Sequence, residues 1–314
     1  MRYLISRLSS MGDVVCTLPV ASALKSADPE AHITWAVDPR FAGIVECADT
    51  VDEIVRVKPS LSPASWPRFD SPFDAALDMQ GLGKSALVVA RARAKVKLGY
   101  HWQREGAALV SRAVRPDPSS HHIVDQYVDV ARAALSELGL TNLPDRAEFG
   151  LHSPPEALAS LRTKLSELGA RGKFVVLNPG AGWASKRWPA ASFAALGAYL
   201  QERDIAPVLI GGNAPIDHAA YDEVAGQMAR PPIKLTGATS LAELVALLSL
   251  AAAHVGGDTG STHLAAALGR PAIGLYSITR PQRSCPYGQI ENCLYDPAGL
   301  AALTVEAVVA KLSL

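Results

Sequence analysis

AHVGGDTGSTHLAAALGRPAIGLYS, residues 253–277, reads as a strand, a glycine turn, a helix and a second strand. Val255 belongs to the first strand, Gly256 and Gly257 let the chain turn, and Gly260, Ser261 and Thr262 lead into the helix that carries His263. Working outward, the same alternation precedes it in FVVLNPG (174–180), SFAALGAYLQE, APVLIGG, PIKLTG and SLAELVALLSLA. The N-terminal half repeats it with RYLIS (2–6), SSMGDVV and an apolar helix, HITWAV, VDEIVRV, FDAALDM, KSALVVARARA and VKLGY. Short apolar strands alternating with helical periodicity predict parallel α/β construction. Two such series predict two Rossmann-like domains facing a cleft, 1–165 and 166–314. The final TVEAVVAKL is a helix for which two placements fit, back across the first domain or as a cap on the second alone.

The chain has 314 residues, 49% of them hydrophobic, with thirty Lys and Arg against thirty Asp and Glu. A formal charge of zero denies nucleic acid its usual electrostatic footprint, although a local basic patch can hide within that average. MRYLISRL is too short and too soon interrupted for an export signal, and no apolar run reaches about 18 residues. Cys16, Cys47, Cys285 and Cys293 make no disulfide framework, and Cys285 and Cys293 lack the Cys-x-x-Cys pair that a zinc site would need. A cytoplasmic protein with reduced thiols and no metal is expected.

Polar turns follow the strands. In SSMGD (9–13), Gly12 permits close approach, and Asp13 either caps the next helix or takes a proton from an attacking hydroxyl. Ser9 and Ser10 either cap that helix or orient a polar ligand. NPGAGWASKRWP (178–189) brings backbone N–H groups and Lys186 toward phosphate; the order is not that of a Walker motif, and an exposed Lys186 beside a buried Trp188 is the plain alternative. Asp258 and Thr259 suit ribose hydroxyls or a helix cap, and the amides of the following helix suit a phosphate oxygen. LIGGNAPID (209–217) offers Asp217 to a ribose or to a helix start. DMQGLGKS (78–85) offers Asp78, Gln80 and Lys84 to an acceptor sugar, with strand termination and solvation as alternatives. His121 and His122 are read as exposed, with a weak option of acceptor-phosphate contact.

Taken in order, SSMGDVVCTLP, FDAALDMQGLGKSALV, GYHWQREGAAL, NPGAGWASKRWP and HVGGDTGSTHLAAALGRPAIGLY resemble the ADP-heptose:lipopolysaccharide heptosyltransferases, glycosyltransferase family 9, nearest the first inner-core enzymes. The resemblance covers nearly the whole chain. It implies a GT-B fold, an acceptor-binding first domain and a nucleotide-sugar-binding second domain. It further implies metal-independent, inverting transfer from ADP-heptose to a Kdo-containing lipid acceptor, by a protein peripheral to the cytoplasmic face of the inner membrane. No cofactor is implied beyond the donor substrate. Asp13 matches the family's base and Lys186 its donor-phosphate contact. Asp258, Thr259, Gly260 and His263 match its donor-binding region, with Asp217 at the acidic ribose position and Thr239 beside the adenine pocket. Ser10, Gly12, Asp78, Gln80, Lys84 and His121 fall to the acceptor side. Two departures stand out: KPSLSPASWPRFD (58–70) replaces a denser basic stretch, and YSITRP places Arg280 where an acid is common. A transferase for another nucleotide sugar and a non-catalytic nucleotide-sugar-binding protein are the competing readings.

Overall fold

The computed structural model describes residues 1–60, 62, 65–142, 147–180 and 187–312. Its contacts divide the chain into two units, Met1–His152 and Ser153–Leu314. The first runs β1 (Arg2–Ser6), α1 (Met11–Ala27), β2 (His32–Val37), α2 (Ala42–Val45), β3 (Glu53–Arg56), β4 (Phe73–Asp78), α3 (Gly83–Arg91), β5 (Ala94–Tyr100), β6 (Arg112–Val114) and α4 (Ile123–Glu137), with a 3-10 turn at Ala107–Leu109 before β6. These strands pair in parallel, in the order β3-β2-β1-β4-β5-β6. Tyr3, Leu4 and Ile5 have no exposed surface, because a central parallel strand is covered on both faces. α1 is apolar nearly all round, which suits a helix packed against both α4 and α2.

The second unit runs α5 (Pro155–Glu167), β7 (Phe174–Asn178), α6 (Ala190–Gln201), β8 (Ala206–Leu209), α7 (Pro215–Ala225), β9 (Ile233–Lys234), α8 (Leu241–Leu250), β10 (Ala253–Gly257), α9 (Gly260–Ala267), β11 (Ala272–Tyr276), α10 (Pro281–Ser284), β12 (Cys293–Tyr295) and α11 (Val305–Lys311). Its sheet order is β12-β11-β10-β7-β8-β9, the same topology as the first. The division falls after His152 rather than after residue 165. α5 buries Ala157, Leu161 and Leu165 and packs on α8, to which the Lys164–Glu243 ion pair (2.7 Å) ties it. α11 packs on α6 and contributes Val308 to the core of its own unit.

In each sheet the strand order reverses once, between β1 and β4 and between β7 and β10. Chains leaving such a point diverge to opposite sides, and the opening they leave beyond the carboxyl ends of the strands is where ligands bind in open α/β sheets.

Candidate active site

In the first unit, the β1–α1 turn sits at that reversal. Asp13 lies in the first turn of α1, its side chain 45% exposed. Arg7, six residues earlier and buried, places Nη2 2.7 Å from Asp13 Oδ1. The other oxygen, Oδ2, accepts from the Ser10 N–H at 3.1 Å and from the Ser10 hydroxyl at 3.0 Å. Asp13 is therefore both a helix-start acceptor and a carboxylate with a fixed orientation, and the two sequence alternatives are compatible. Oδ2 thus has both lone pairs engaged, whereas Oδ1 meets only Arg7 and keeps a second lone pair for a further donor. Arg7 also donates to the Met79 carbonyl and lies over the Tyr127 ring at 5.2 Å. Sequence reasoning missed it; the available sign was a cation directly after an apolar strand.

Ser9 links this turn to β4: its hydroxyl accepts from Lys84 Nζ at 2.9 Å and from Gln80 Nε2 at 3.2 Å, while Gln80 Oε1 accepts from the Leu8 N–H. Ser10, Gly12, Asp13, Gln80 and Lys84 thus fall in one neighbourhood. Asp78 does not join them as a ligand contact. It has no exposed surface, and Oδ1 accepts the N–H groups of Gln80 and Gly81 at 3.1 and 2.8 Å. Burial pushes its pKa up against those hydrogen bonds. Asp78 shapes the turn that presents Gln80. His121 is exposed ahead of α4, whereas His122, expected on the surface, is buried and caps α4, its Nδ1 accepting the Val124 N–H at 3.1 Å.

In the second unit, three turns meet at the carboxyl ends of β7, β8 and β10. Asn178 Nδ2 donates to Ser261 Oγ at 2.8 Å and contacts Thr259 Oγ1 at 3.4 Å, joining the first turn to the third. Asp217 enters from α7, and a Cβ on Gly212 would lie 2.8 Å from its Oδ2. One on Gly180 would lie 3.1 Å from its Oδ1. Absence of those side chains is what lets the carboxylate lie across both turns. Asp258, half-buried, stands 3.5 Å from His263 Nε2 and lines a pocket with Leu275–Thr279 and Leu300. Gly260 opens α9, whose first N–H groups precede any intrahelical bond and suit an anion. Thr239 is half-buried just before Ser240, which caps α8 reciprocally with Glu243. Lys186 lies outside the described residues, as does Trp183. Trp188 packs in the core edge-on to Phe193, its indole donating to the Leu303 carbonyl.

Beneath these turns His254, also missed from sequence, is fully buried in β10 with Nε2 3.0 Å from Ser261 Oγ. Burial first, and the neighbouring His263 second, hold its pKa down to about 3. The ring is neutral at physiological pH and fixes the hydroxyl that in turn meets Asn178. Its sign in the sequence was an ionisable residue inside an apolar strand.

Residues 69–304 match the profile of glycosyltransferase family 9 (heptosyltransferase). The chain belongs to that family. Lipopolysaccharide heptosyltransferase 1 of Escherichia coli K12 is 29% identical over 333 aligned positions, covering all of this chain and 99% of the relative. The structure of E. coli heptosyltransferase WaaC with ADP is similar at a TM-score of 0.78 and 28% identity, covering 99% of this chain and 98% of that one. The same enzyme with ADP-2-deoxy-2-fluoro heptose gives 0.75 and 27%, with 99% and 98% covered. This family 9 chain accordingly has a GT-B-type fold of two Rossmann-like units. Its Arg280, exposed at the start of α10, follows the segment that walls the Asp258 pocket.

Proposed function

We propose that this chain transfers heptose from ADP-heptose to a Kdo-containing lipid acceptor, with inversion, as a peripheral protein at the cytoplasmic face of the inner membrane. The observation that carries the reading is the pairing of a family 9 match with an oriented, solvent-reachable carboxylate at the strand reversal of the first unit. Asp13 takes the proton of the acceptor hydroxyl as that oxygen attacks the anomeric carbon from the face opposite ADP. The carbon–oxygen bond to the diphosphate breaks in the same step, so one displacement inverts the configuration. Arg7 and Ser10 hold Asp13 in place, and Gln80, Lys84 and Ser9 orient acceptor hydroxyls. His121 is the outlying acceptor-side candidate.

The second unit holds the donor. Asp217 and Thr259 suit the ribose hydroxyls, Thr239 the adenine side, and the first amides of α9 with Lys186 the departing diphosphate. Oriented amides and a cation stabilise the charge that develops there, which lowers the barrier rather than merely tightening binding. Among the described residues no three His, Cys, Asp or Glu side chains converge as a metal site requires, and the mechanism calls for no metal. The bound nucleotide and nucleotide sugar in the WaaC structures support an ADP-linked donor.

Purified protein with ADP-heptose and a Kdo-containing acceptor should add one heptose, seen by mass spectrometry, with inverted anomeric configuration by NMR and no effect of a chelator. The sparse basic segment at 58–68 should make the reaction less dependent on acceptor phosphate. Because Arg280 directly follows the segment that walls the Asp258 pocket, other nucleotide sugars belong in the panel; efficient use of one of them with negligible ADP-heptose reaction would replace the donor assignment. Retained configuration would sink the single displacement. Donor binding without transfer to any acceptor would favour a non-catalytic role.

A further inference from the structure

Outside the site, the first unit leaves Trp102 56% and Leu109 92% exposed on the segment joining β5 to β6. That segment is fixed by its backbone. Gly81 has φ +69°, and a Cβ there would lie 2.5 Å from the Trp102 carbonyl oxygen. The Arg104 N–H donates to the Gly81 carbonyl at 2.8 Å, and the 3-10 turn Ala107–Leu109 packs on α3. α3 adds Leu87, itself exposed. Two large apolar side chains held outward on an anchored loop contribute little to the core of their own unit, unlike the scattered single apolar residues of an ordinary surface.

The charge of the same stretch is lopsided. From Lys84 to Arg115 there are eight Lys and Arg and a single acid, Glu105, in a chain whose totals balance at thirty each. Among the described residues, acidic side chains from elsewhere pair with two of the cations, Asp74 with Lys95 and Glu137 with Arg112, and Glu105 itself accepts the Gly83 N–H. Arg104, between Trp102 and Leu109 in sequence, and Arg115, directly after β6, are both exposed. Aromatic and aliphatic side chains beside cations suit a surface that is apolar below and anionic above. A second copy of this chain is a poor occupant, since a two-fold contact would set these cations against themselves.

We propose that the β5–β6 loop, with α3, docks on an anionic lipid bilayer, Trp102 and Leu109 entering the headgroup–acyl boundary while Arg104 and Arg115 meet lipid phosphates. The inference rests on the reading that the acceptor is lipid-linked. It also gives that reading a geometry within the first unit: Trp102 lies against Gly81, next in sequence to Gln80, whose side chain bonds the Leu8–Ser9 turn. A sugar borne on a lipid in that bilayer would emerge beside the turn that leads to Asp13.

The test is sedimentation of the full chain with vesicles of phosphatidylethanolamine and phosphatidylglycerol, compared with pure phosphatidylcholine. Wild type should sediment with the anionic vesicles, less as salt rises, and hardly at all with phosphatidylcholine. Leu109→Asp with Trp102→Ser, and separately Arg104→Glu with Arg115→Glu, should each lower the partition coefficient at least about tenfold. Unfolding midpoints and transfer to a water-soluble, lipid-free acceptor should stay at wild-type values. Wild type that ignores anionic vesicles, or either double variant that partitions like wild type, would overturn the proposal. Self-association of wild type abolished by Leu109→Asp, without vesicle binding, would overturn it in favour of a homodimer. Vesicle binding without transfer to the soluble acceptor would leave docking standing and remove the transferase reading instead.

Discussion

Arg7 commits one buried guanidinium to the Asp13 carboxylate, the Met79 carbonyl and the face of Tyr127. A base has to meet its hydroxyl within hydrogen-bond reach, and a carboxylate free to rotate would spend much of its time elsewhere. Asp13→Asn keeps the side-chain size and removes the proton acceptor, so turnover should fall by about 10² to 10⁴ with donor binding little changed. Arg7→Met leaves the acceptor in place and loosens it. We expect kcat to fall while KM for the donor holds, and Arg7→Lys to restore part of kcat, because an ammonium can reach Asp13 but cannot serve all three partners. Steady-state kinetics alongside thermal unfolding checks this. If lost activity merely follows the unfolding midpoint, Arg7 holds the fold and nothing more.

At the scale of the element, β10 buries a group that water would rather protonate. His254 has a folded pKa of about 3, against roughly 6.5 in an unfolded chain. Between those values the unfolded state binds a proton that the folded state refuses. Its contribution is therefore fully present above pH 6.5 and is lost as pH falls toward 3, at about 1.4 kcal/mol per pH unit. By pH 4 the loss should reach roughly 3 kcal/mol. His254→Asn should be less stable at neutral pH yet show a flatter acid limb, by one proton, in denaturant titrations across pH 4–7. An unchanged slope would place the acid sensitivity elsewhere. The same strand shows what the sequence could reveal. RYLIS, FVVLN and AIGLY are legible because a strand covered on both faces must be apolar without interruption. Arg112–Val114 and Cys293–Tyr295 are three-residue edge strands with little buried, and so leave no periodic trace. The turns could be found because glycine and short polar residues cluster where a strand ends. Their partners could not: Asp78 looks like any turn acid, and only the packed structure turns its carboxylate inward. Arg7 likewise acquires its role from Met79 and Tyr127, both distant in sequence.

Across the whole molecule, two units share one topology while their turns differ in chemistry, a cation–carboxylate pair in the first and hydroxyl-rich glycine turns in the second. Calorimetry should register that difference. ADP at a hundred times its Kd should add about 2.7 kcal/mol to the stability of the structure that binds it, shifting the transition of a unit of this size by roughly 5–11 °C. If the units melt separately, only the transition of Ser153–Leu314 should move; a shift confined to the other would reverse the assignment of the donor turns. The central position of β1 has a different consequence, for the chain as it leaves the ribosome. β1 pairs with β2 on one side and with β4, some seventy residues later, on the other. At about 5–20 residues per second, Tyr3, Leu4 and Ile5 wait on the order of 4–14 s for that second neighbour to be synthesised. The first strand made is not the first to be enclosed, since β2 gains both its neighbours sooner, and during that interval the bare edge of β1 is open to any other nascent chain or to a holding chaperone.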